Sequence, residues 1–240
     1  MSKLAKTKIG KMIINNKFLF FIYKATMGRL LRSIRLKKRS RDVKENGILR
    51  IMEIEQLLEK TPAVFFVDCG TLLGCVRDHK LIKWDYDVDF GIYISDIFGW
   101  KELEIEMKKI GFDLHHQFCF QGQVTEQTYK KNTMMIDFFG HFDDGDNTCY
   151  YSYYRLEDYK YTSENEMSVL KFKTVKLTGI KKIEIEGGYV HIPNEAEEYL
   201  AGLYGETWRI PDPNWKGGSG PACIHLSDDY KAELQKIIQD

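Results

Sequence analysis

Three aspartates at alternate positions are the residues of this chain whose type and spacing most clearly indicate chemistry. Residues 84–89 read Trp-Asp-Tyr-Asp-Val-Asp. In an extended segment alternate side chains share one face, so Asp85, Asp87 and Asp89 would point together, away from a core. Because like charges at this spacing repel one another, such a group holds a proton or binds a divalent cation, which prefers oxygen ligands. The spacing therefore predicts a divalent-metal site.

This acidic segment has two other interpretations. A calcium loop of the helix-loop-helix type needs Gly at its sixth position and Glu at its twelfth, where this chain has Phe90 and Asp96, so that interpretation fails. The second interpretation is a solvated acidic turn. The flanking apolar residues alternate as in a half-buried strand, which favours a strand from Asp85 to Ile94.

A fourth aspartate lies inside an apolar run further along the chain. Residues 134–139 read Met-Met-Ile-Asp-Phe-Phe, which indicates a buried strand with Asp137 in it. An unpaired carboxylate would be costly there. A strand beside the first one would bring Asp137 to the same metal ion, and the alternative is a salt bridge or a cap at the strand end.

The stretch around the first three aspartates resembles a family signature. Residues 70–74 read Gly-Thr-Leu-Leu-Gly, Arg77 follows, and residues 82–89 read Ile-Lys-Trp-Asp-Tyr-Asp-Val-Asp. This combination resembles the LicD and fukutin family of the nucleotidyltransferase superfamily. Residues 191–193, 198–200 and 203–208 resemble the closing motif of the family, so the similarity spans roughly residues 60 to 212. One departure is Lys83, where family members often carry Pro, and it concerns loop stiffness more than chemistry.

The resemblance implies a metal-dependent transferase with assigned site residues. Its members move a phospho-alcohol, such as phosphocholine or ribitol phosphate, from a CDP-linked donor to a sugar hydroxyl of a glycan. By position, Gly70 and Thr71 match residues that approach the nucleotide phosphates. Asp87 and Asp89 match the metal-binding pair, and Asp137 matches the third carboxylate. Asp85 matches a further acid of the family.

Phosphoryl transfer from a diphosphate makes two demands on these residues. The negative charge must be neutralised, and the attacking hydroxyl must be held in line with the leaving group. Mg²⁺ or Mn²⁺ on Asp87, Asp89 and Asp137 would meet the first demand, and Asp137 or Asp85 would act as the base. Gly70 and Thr71 would let backbone amides reach the phosphates.

Two further residues are candidates for contact with the donor. Arg77 would be a fixed cation over the phosphates, although a single arginine is also typical of a surface ion pair. Trp84, with Tyr86 and the tyrosines of residues 150–161, would attract a quaternary ammonium such as choline through cation-π contacts. The alternative for these aromatic side chains is core packing.

The net charge of zero conceals a strongly basic N-terminal segment. Residues 1–41 contain thirteen Lys and Arg and no acid, and the remainder has 22 basic against 35 acidic residues. Apolar residues recur at helical spacing within it, which predicts an amphipathic helix on an anionic membrane surface: Ile9, Met12, Ile13, Leu19, Phe20, Tyr23, Met27, Leu30, Leu31 and Ile34. The alternatives are packing on the enzyme or a partner, and a nucleic-acid arm, which no binding motif supports.

Cysteine usage and hydropathy bear on the compartment. Five cysteines form no close zinc-type pair and leave an odd number, which favours reduced thiols in a cytoplasmic protein. The apolar run at residues 18–23 is too short to span a bilayer, and no cleavage pattern follows it. We therefore expect a cytoplasmic enzyme peripheral on the inner face of the cell membrane.

The element pattern predicts a mixed α/β (α+β) fold, with a nucleotidyltransferase-like twisted mixed sheet flanked by helices. Residues 1–45 would be the basic helical arm and residues 46–240 the catalytic domain, with a nucleotide and metal core at 60–142 and an acceptor-side part at 143–240. A helix is predicted at 47–60, a capping-box-like helix start at Asn194 and Glu197, and a last helix opening at Ser227.

The predicted function is transfer of phosphocholine or a related phospho-alcohol to a cell-surface glycan precursor, either a glycan or a lipid-linked oligosaccharide, with release of CMP. One alternative is a nucleotidyltransferase that acts on a small acceptor. The other is a non-catalytic membrane-associated scaffold, against which the intact Asp87, Asp89 and Asp137 argue. No nucleic-acid partner is expected.

Overall fold

The computed structural model describes residues 17–156 and 159–237, which form a mixed α+β fold with four helices and eleven strands in those ranges. The helices are α1 (Lys17–Leu58), α2 (Cys69–Asp78), α3 (Trp100–Lys109) and α4 (Ala196–Tyr204). The strands are β1 (Val64–Val67), β2 (Val88–Tyr93), β3 (Asp113–Phe120), β4 (Gln123–Lys131), β5 (Met134–Asp144), β6 (Asn147–Tyr154), β7 (Glu166–Val175), β8 (Ile180–Ile185), β9 (Gly188–Pro193), β10 (Cys223–His225) and β11 (Lys231–Lys236).

Nine of these strands form one mixed sheet. Its hydrogen-bonded path runs β1-β2-β5-β4-β3-β11-β7-β10, and β6 pairs with both β5 and β7. The strands β5, β4, β3, β11, β7 and β6 therefore form a closed ring. The β2/β5 pair is parallel, whereas every other pair in the sheet is antiparallel. The predicted mixed sheet with helices is thus confirmed, and the nucleotidyltransferase-like label stays a prediction.

The β2/β5 pair separates an apolar face from an acidic one. On β2 the side chains of Val88, Phe90 and Ile92 are fully buried. Phe90 stacks on Phe138 of β5, with ring centroids 5.1 Å apart. Because side chains alternate along a strand, the residues between them, including Asp89, lie on the opposite face. The apolar face of these strands therefore fixes which way Asp89 points.

The long helix α1 joins the basic segment to the body of the protein. Its C-terminal part is packed inside, with Ile51, Ile54 and Leu58 fully buried. The buried Glu55 accepts hydrogen bonds from the backbone amide of His191, at 2.9 Å, and from its Nδ1 atom, at 2.5 Å. These contacts fasten α1 to β9. The predicted division at residue 45 falls within α1 and stays a prediction.

Part of the predicted arm lies outside the described residues, namely residues 1–16. Of the helices that the structure describes, none has the length and apolar character needed to cross a bilayer.

Two local predictions near the C-terminus are wrong. The segment after Ser227 forms strand β11 instead of a helix, because it pairs with β3 on one side and β7 on the other. Helix α4 begins at Ala196, and its N-cap residue is Glu195, which makes no side-chain cap hydrogen bond. The carboxylate of Glu195 instead accepts hydrogen bonds from the backbone and hydroxyl of Thr178.

Candidate active site

The first three predicted acids are divided between a loop and a strand. Strand β2 begins at Val88, so Asp85 and Asp87 lie in the preceding loop, and the predicted strand from Asp85 to Ile94 is too long. The backbone amide of Asp85 donates to the carbonyl of Ile82 at 3.2 Å, which closes a turn there. Alternation along a strand therefore fixes the direction of Asp89 alone among the three.

The pairing of β2 with β5 places Asp89 beside Asp137. These residues are direct register partners on the two parallel strands, which are spaced about 4.8 Å apart. On the next strand Thr128 is the register partner of Asp137, and Glu126 lies two residues away on the same face. Asp89, Asp137 and Glu126 thus share one face of neighbouring strands, and a fourth acid, Asp87, lies in the loop two residues before Asp89.

Burial raises the pKa of each of these four carboxyl groups, and repulsion by neighbouring acids raises it further for Asp87, Asp89 and Glu126. For Asp89, burial contributes most and the charge of Asp87 next. For Asp87 and for Glu126, burial is again the largest cause and the charge of Asp137 the next. The pKa of Asp137 is raised by burial, while a hydrogen bond from Thr128 opposes this rise. The group therefore lacks sufficient positive charge from the protein.

Asp85 stands at the edge of the same group. Burial raises the pKa of its carboxyl to about 6. Its Oδ2 atom lies only 2.6 Å from where a Cβ on residue 70 would stand, so Gly70 is the residue that this contact permits. Asp85 and Gly70 are therefore brought together, as the predicted site requires.

The carboxylates of Asp87, Asp89 and Asp137 are ligands of the type that a divalent cation prefers. The Oδ1 atom of Asp137 is buried and has no hydrogen-bond partner among the described residues. In the described part of the chain, the ligand atoms of Asp87, Asp89 and Asp137 do not all lie within 4.8 Å of one another. Repulsion between like charges favours this wider spacing where no cation lies between the carboxylates.

The predicted phosphate-binding residues lie at the start of α2. Gly70 is the second residue of this helix, whose N-cap is Asp68. The Thr71 hydroxyl accepts a hydrogen bond of 2.9 Å from the backbone amide of Asp89. Thr71 therefore ties the helix start to the acidic strand, and the positive end of α2 adjoins the carboxylates.

Asp68 is a site residue that the sequence interpretation missed. Its fully buried carboxylate accepts hydrogen bonds from the Tyr199 hydroxyl at 2.8 Å and the Cys69 amide at 2.6 Å. Its Oδ2 atom also lies 2.8 Å from Nε2 of His141. Asp68 thus fixes the helix start against β5 and α4. The only signal in the sequence is the position of Asp68 two residues before the glycine motif.

A cavity of about 390 Å³ opens beside Gly70 and Asp85. Its size suits a small ligand or part of a nucleotide. Arg77 lines it, with a guanidinium that donates to the carboxylate of Asp78. Arg77 therefore lines the cavity, as predicted for a donor-binding residue. It also forms an ion pair, which was the alternative interpretation of this residue. Five aromatic side chains line the cavity: Trp84, Tyr86, Tyr204, Trp208 and Trp215.

The aromatic candidates for ligand contact are divided by the fold. Trp84 and Tyr86 lie in the cavity wall, half exposed, at 50% and 40% of full exposure. The described tyrosines of residues 150–161 do not line this cavity. Tyr150, for example, is buried and stacks on Phe172, with centroids 4.6 Å apart. Core packing, the alternative interpretation, applies to Tyr150.

A second polar group lies apart from this site. Glu55, Glu59 and His191 bring three potential ligand atoms within 4.8 Å of one another. The ammonium of Lys182 forms an ion pair with Glu59, and His191 binds Glu55. Because these contacts already supply positive charge and donors to the carboxylates, we interpret this group as a fastening between α1 and the β8-β9 hairpin.

Comparison with known proteins places the chain in a family. The family described as LicD/FKTN/FKRP, nucleotidyltransferase domain, matches residues 63–195, which is more than half of the chain. Ribitol-5-phosphate transferase FKTN of Mus musculus is 27% identical over 196 residues, covering 79% of this chain and 40% of that protein. The Homo sapiens protein of the same name is 27% identical over 184 residues, covering 76% and 37%.

A shorter similarity involves a second protein. Ribitol 5-phosphate transferase FKRP of Mus musculus is 40% identical over 47 residues, covering 20% of this chain and 10% of that protein. The chain spans only about two fifths of the length of the FKTN relatives that it matches. The extent of the family match shows that the chain belongs to the LicD/FKTN/FKRP family.

Proposed function

We propose that this protein transfers a phospho-alcohol from a CDP-linked donor to a hydroxyl of a glycan or a lipid-linked oligosaccharide, with release of CMP. The observation that carries the proposal is the pairing of Asp89 with Asp137 on adjacent parallel strands, next to Asp87 and the start of α2. The names of the FKTN and FKRP relatives support a ribitol phosphate or a similar group as the transferred unit.

Mg²⁺ or Mn²⁺ is the cofactor that we propose, held by Asp87, Asp89 and Asp137. The unpartnered Oδ1 of Asp137 and the crowded carboxylates support this assignment. When bound, the ion would neutralise charge on the diphosphate oxygens. The Thr71 hydrogen bond holds Asp89 in place, and Asp68 holds the start of α2.

The acceptor hydroxyl must lose a proton as it attacks the phosphorus. Asp85, whose carboxyl has a pKa of about 6, is a suitable base because it is mostly ionised at pH 7 and still basic enough to accept a proton. Asp137 remains the other candidate base. The group that accepts the proton must lie within hydrogen-bond distance of the acceptor, on the side of the phosphorus opposite the leaving CMP.

The cavity beside Gly70 would receive the donor. Its aromatic wall can stack on a cytosine base or, for a choline donor, attract the quaternary ammonium. Arg77, already oriented by Asp78, would face the phosphates. The cavity therefore fits either a ribitol or a choline conjugate, and the relatives favour ribitol.

Helix α1 supports the proposed peripheral position on the inner face of the membrane. Leu30, Leu31 and Ile34 lie on one side of it and are 52%, 56% and 55% exposed. Exposed apolar side chains on a helix rich in Lys and Arg are typical of helices that lie in the interface of an anionic bilayer. The cytoplasmic location is also part of the proposal, and it is supported by the odd number of cysteines, which favours reduced thiols.

The test is to supply CDP-ribitol, CDP-choline and CDP-glycerol with Mg²⁺ or Mn²⁺ and to measure CMP release with and without candidate glycans. We expect one conjugate to be consumed, only when an acceptor and a metal ion are present. Asp89→Asn should abolish this release, whereas Asp96→Asn, at an exposed acid outside the site, should not change it. Equal CMP release by Asp89→Asn would refute the assignment.

The same assay addresses the alternative functions. The family description includes a nucleotidyltransferase domain, so CTP is also supplied with small phosphorylated acceptors. Pyrophosphate release from CTP, without CMP release from any conjugate, would favour the nucleotidyltransferase. A scaffold would release neither product.

A further inference from the structure

The segment that follows α4 forms one wall of the cavity beside Gly70. Trp208 is buried, and the guanidinium of Arg209 forms an ion pair with Glu197 of α4. The backbone amide of Trp208 also donates to the carbonyl of Gly205 at 3.1 Å. These contacts fix the segment against α4 and so hold its cavity-lining residues in place, which are Thr207, Trp208, Ile210, Asp212, Pro213 and Trp215.

Asp212 is oriented by a turn within this wall. Its Oδ1 atom accepts a hydrogen bond of 2.8 Å from the backbone amide of Asn214, and its carbonyl accepts one of 3.2 Å from the amide of Trp215. Pro211 and Pro213 restrict the backbone on either side. Within residues 17–156 and 159–237, the carboxylate makes no other hydrogen bond or ion pair. Its second oxygen can therefore accept a hydrogen bond from a ligand.

The polar side chains that line the cavity differ in whether they donate or accept hydrogen bonds. Among the described residues, the non-aromatic ones are Arg77, Asp85, Thr207 and Asp212. Arg77 can only donate, and it already binds Asp78, whereas the hydroxyl of Thr207 can donate or accept. Asp85 stands at the edge of the acidic group. An ionised carboxylate only accepts, so Asp212 can distinguish a ligand that presents a donor from one that presents an acceptor.

Cytosine and uracil differ in this respect at position 4 of the ring. Cytosine carries an amino group there, which donates to the carboxylates of Asp and Glu, whereas uracil carries a carbonyl oxygen, which only accepts. Aromatic side chains do not make this distinction, because every base has a face on which they can stack. Trp215 and Tyr204, whose ring centroids are 5.6 Å apart, both line the cavity and can supply such stacking. The choice between the two bases therefore requires a contact with the edge of the ring.

We propose that Asp212 accepts a hydrogen bond from the 4-amino group of a cytosine base bound in the cavity, and that it thereby selects cytidine over uridine nucleotides. This inference rests on the proposed function and deepens it, because it assigns the choice of the base to one residue. Uracil would place its carbonyl oxygen against the carboxylate, and two acceptors without a proton between them repel each other. Asp212 is thus a specificity-determining residue, separate from the acids proposed to hold the metal ion.

The test compares CMP with UMP, each titrated by calorimetry into the full-length protein in the presence of Mg²⁺. We expect CMP to bind at least about tenfold more tightly than UMP, as one discriminating contact with a base edge provides. Because both nucleotides carry the same phosphate, the ratio of their affinities is insensitive to general changes of charge. A third probe is the monophosphate of the pyrimidin-2-one ribonucleoside, which carries only hydrogen at position 4 and should bind more weakly than CMP.

Matched variants separate the contact with the base from a structural role of the turn. Asp212→Asn keeps an oxygen for the amide of Asn214 and adds an amide donor for uracil, so the preference for CMP should disappear or reverse. Asp212→Ala should weaken binding of CMP without weakening that of the pyrimidin-2-one nucleotide. Trp215→Ala should weaken CMP and UMP to a similar extent, about tenfold, because stacking tolerates either base. Asp96→Asn, outside the cavity, should leave the ratio unchanged.

Several results would overturn the inference. They are equal affinity of the original protein for CMP and UMP, no binding of either nucleotide, an unchanged ratio in Asp212→Asn that a thermal melt shows to be folded, and equal weakening of CMP and the pyrimidin-2-one nucleotide by Asp212→Ala. Since these titrations involve no turnover, they can fail while CMP release from a CDP conjugate succeeds. Conversely, a preference for CMP that depends on Asp212, without CMP release from any conjugate, would refute the transferase alone.

Discussion

Replacing Asp85 by Asn should stabilise the metal-free protein, and this effect should depend on pH. Burial raises the pKa of the Asp85 carboxyl from 3.8 to about 6, so the folded state disfavours its charged form. The folded protein then binds more protons than the unfolded chain between about pH 4 and 6, and the free energy of unfolding falls as the pH rises through that range. Asparagine has the same shape and never carries the charge.

The expected magnitude follows from the difference between the two pKa values. At about 1.4 kcal/mol per pH unit, a change from 3.8 to about 6 corresponds to at most about 3 kcal/mol at pH 8. The same linkage gives about 1 kcal/mol at pH 4.5, where the unfolded chain is only partly ionised. For a chain of this length the larger value corresponds to about 6–12 °C in Tm.

The assay is thermal unfolding in EDTA from pH 4.5 to pH 8, for the original protein, Asp85→Asn and the control Asp96→Asn. We expect the curves of the original protein and Asp85→Asn to separate as the pH rises, while Asp96→Asn follows the original protein. Mg²⁺ at pH 8 should raise the Tm of the original protein, because it neutralises the neighbouring carboxylates. A stability difference that does not change with pH would refute the reasoning.

Other predictions concern activity, packing and membrane binding. Asp87→Asn should abolish CMP release while the Tm is unchanged or higher, since repulsion is relieved. Asp68→Asn should lower the free energy of unfolding by about 3 kcal/mol in urea titrations, because an amide donor would face Nε2 of the buried His141. Gly220→Ala should lower it by about 3 kcal/mol or more, because the added Cβ would meet the Leu203 carbonyl oxygen at 1.7 Å. Leu31→Glu combined with Ile34→Glu should prevent cosedimentation with anionic vesicles without changing CMP release on a soluble acceptor.

Sequence patterns predicted the elements whose apolar side chains are unambiguous. The run around Asp137 is apolar on both sides, and it forms the strand β5 beside β2 as expected. The alternating apolar residues after Asp87 likewise form β2, although this strand begins at Val88. In these segments the burial of apolar side chains decides the structure, and the pattern records it directly.

Segments governed by partners far along the chain were predicted poorly. Strand β4 was missed because its site-facing side chains, Glu126 and Thr128, are polar, which removes the usual alternation. At Ser227 a local helix-start signal was overridden by pairing with β3 and β7. The role of Asp68 depends on Tyr199, 131 residues away, and no local pattern contains that information.

The position of β11 makes residues 231–236 a structural requirement. Since this strand is the link between β3 and β7, removing residues after Tyr230 would break the ring of strands and leave two unpaired edges on opposite sides of the gap. Exposed edges of this kind pair with other chains. Shortening the C-terminus by ten residues should therefore yield aggregates, even though every acid of the site would still be present.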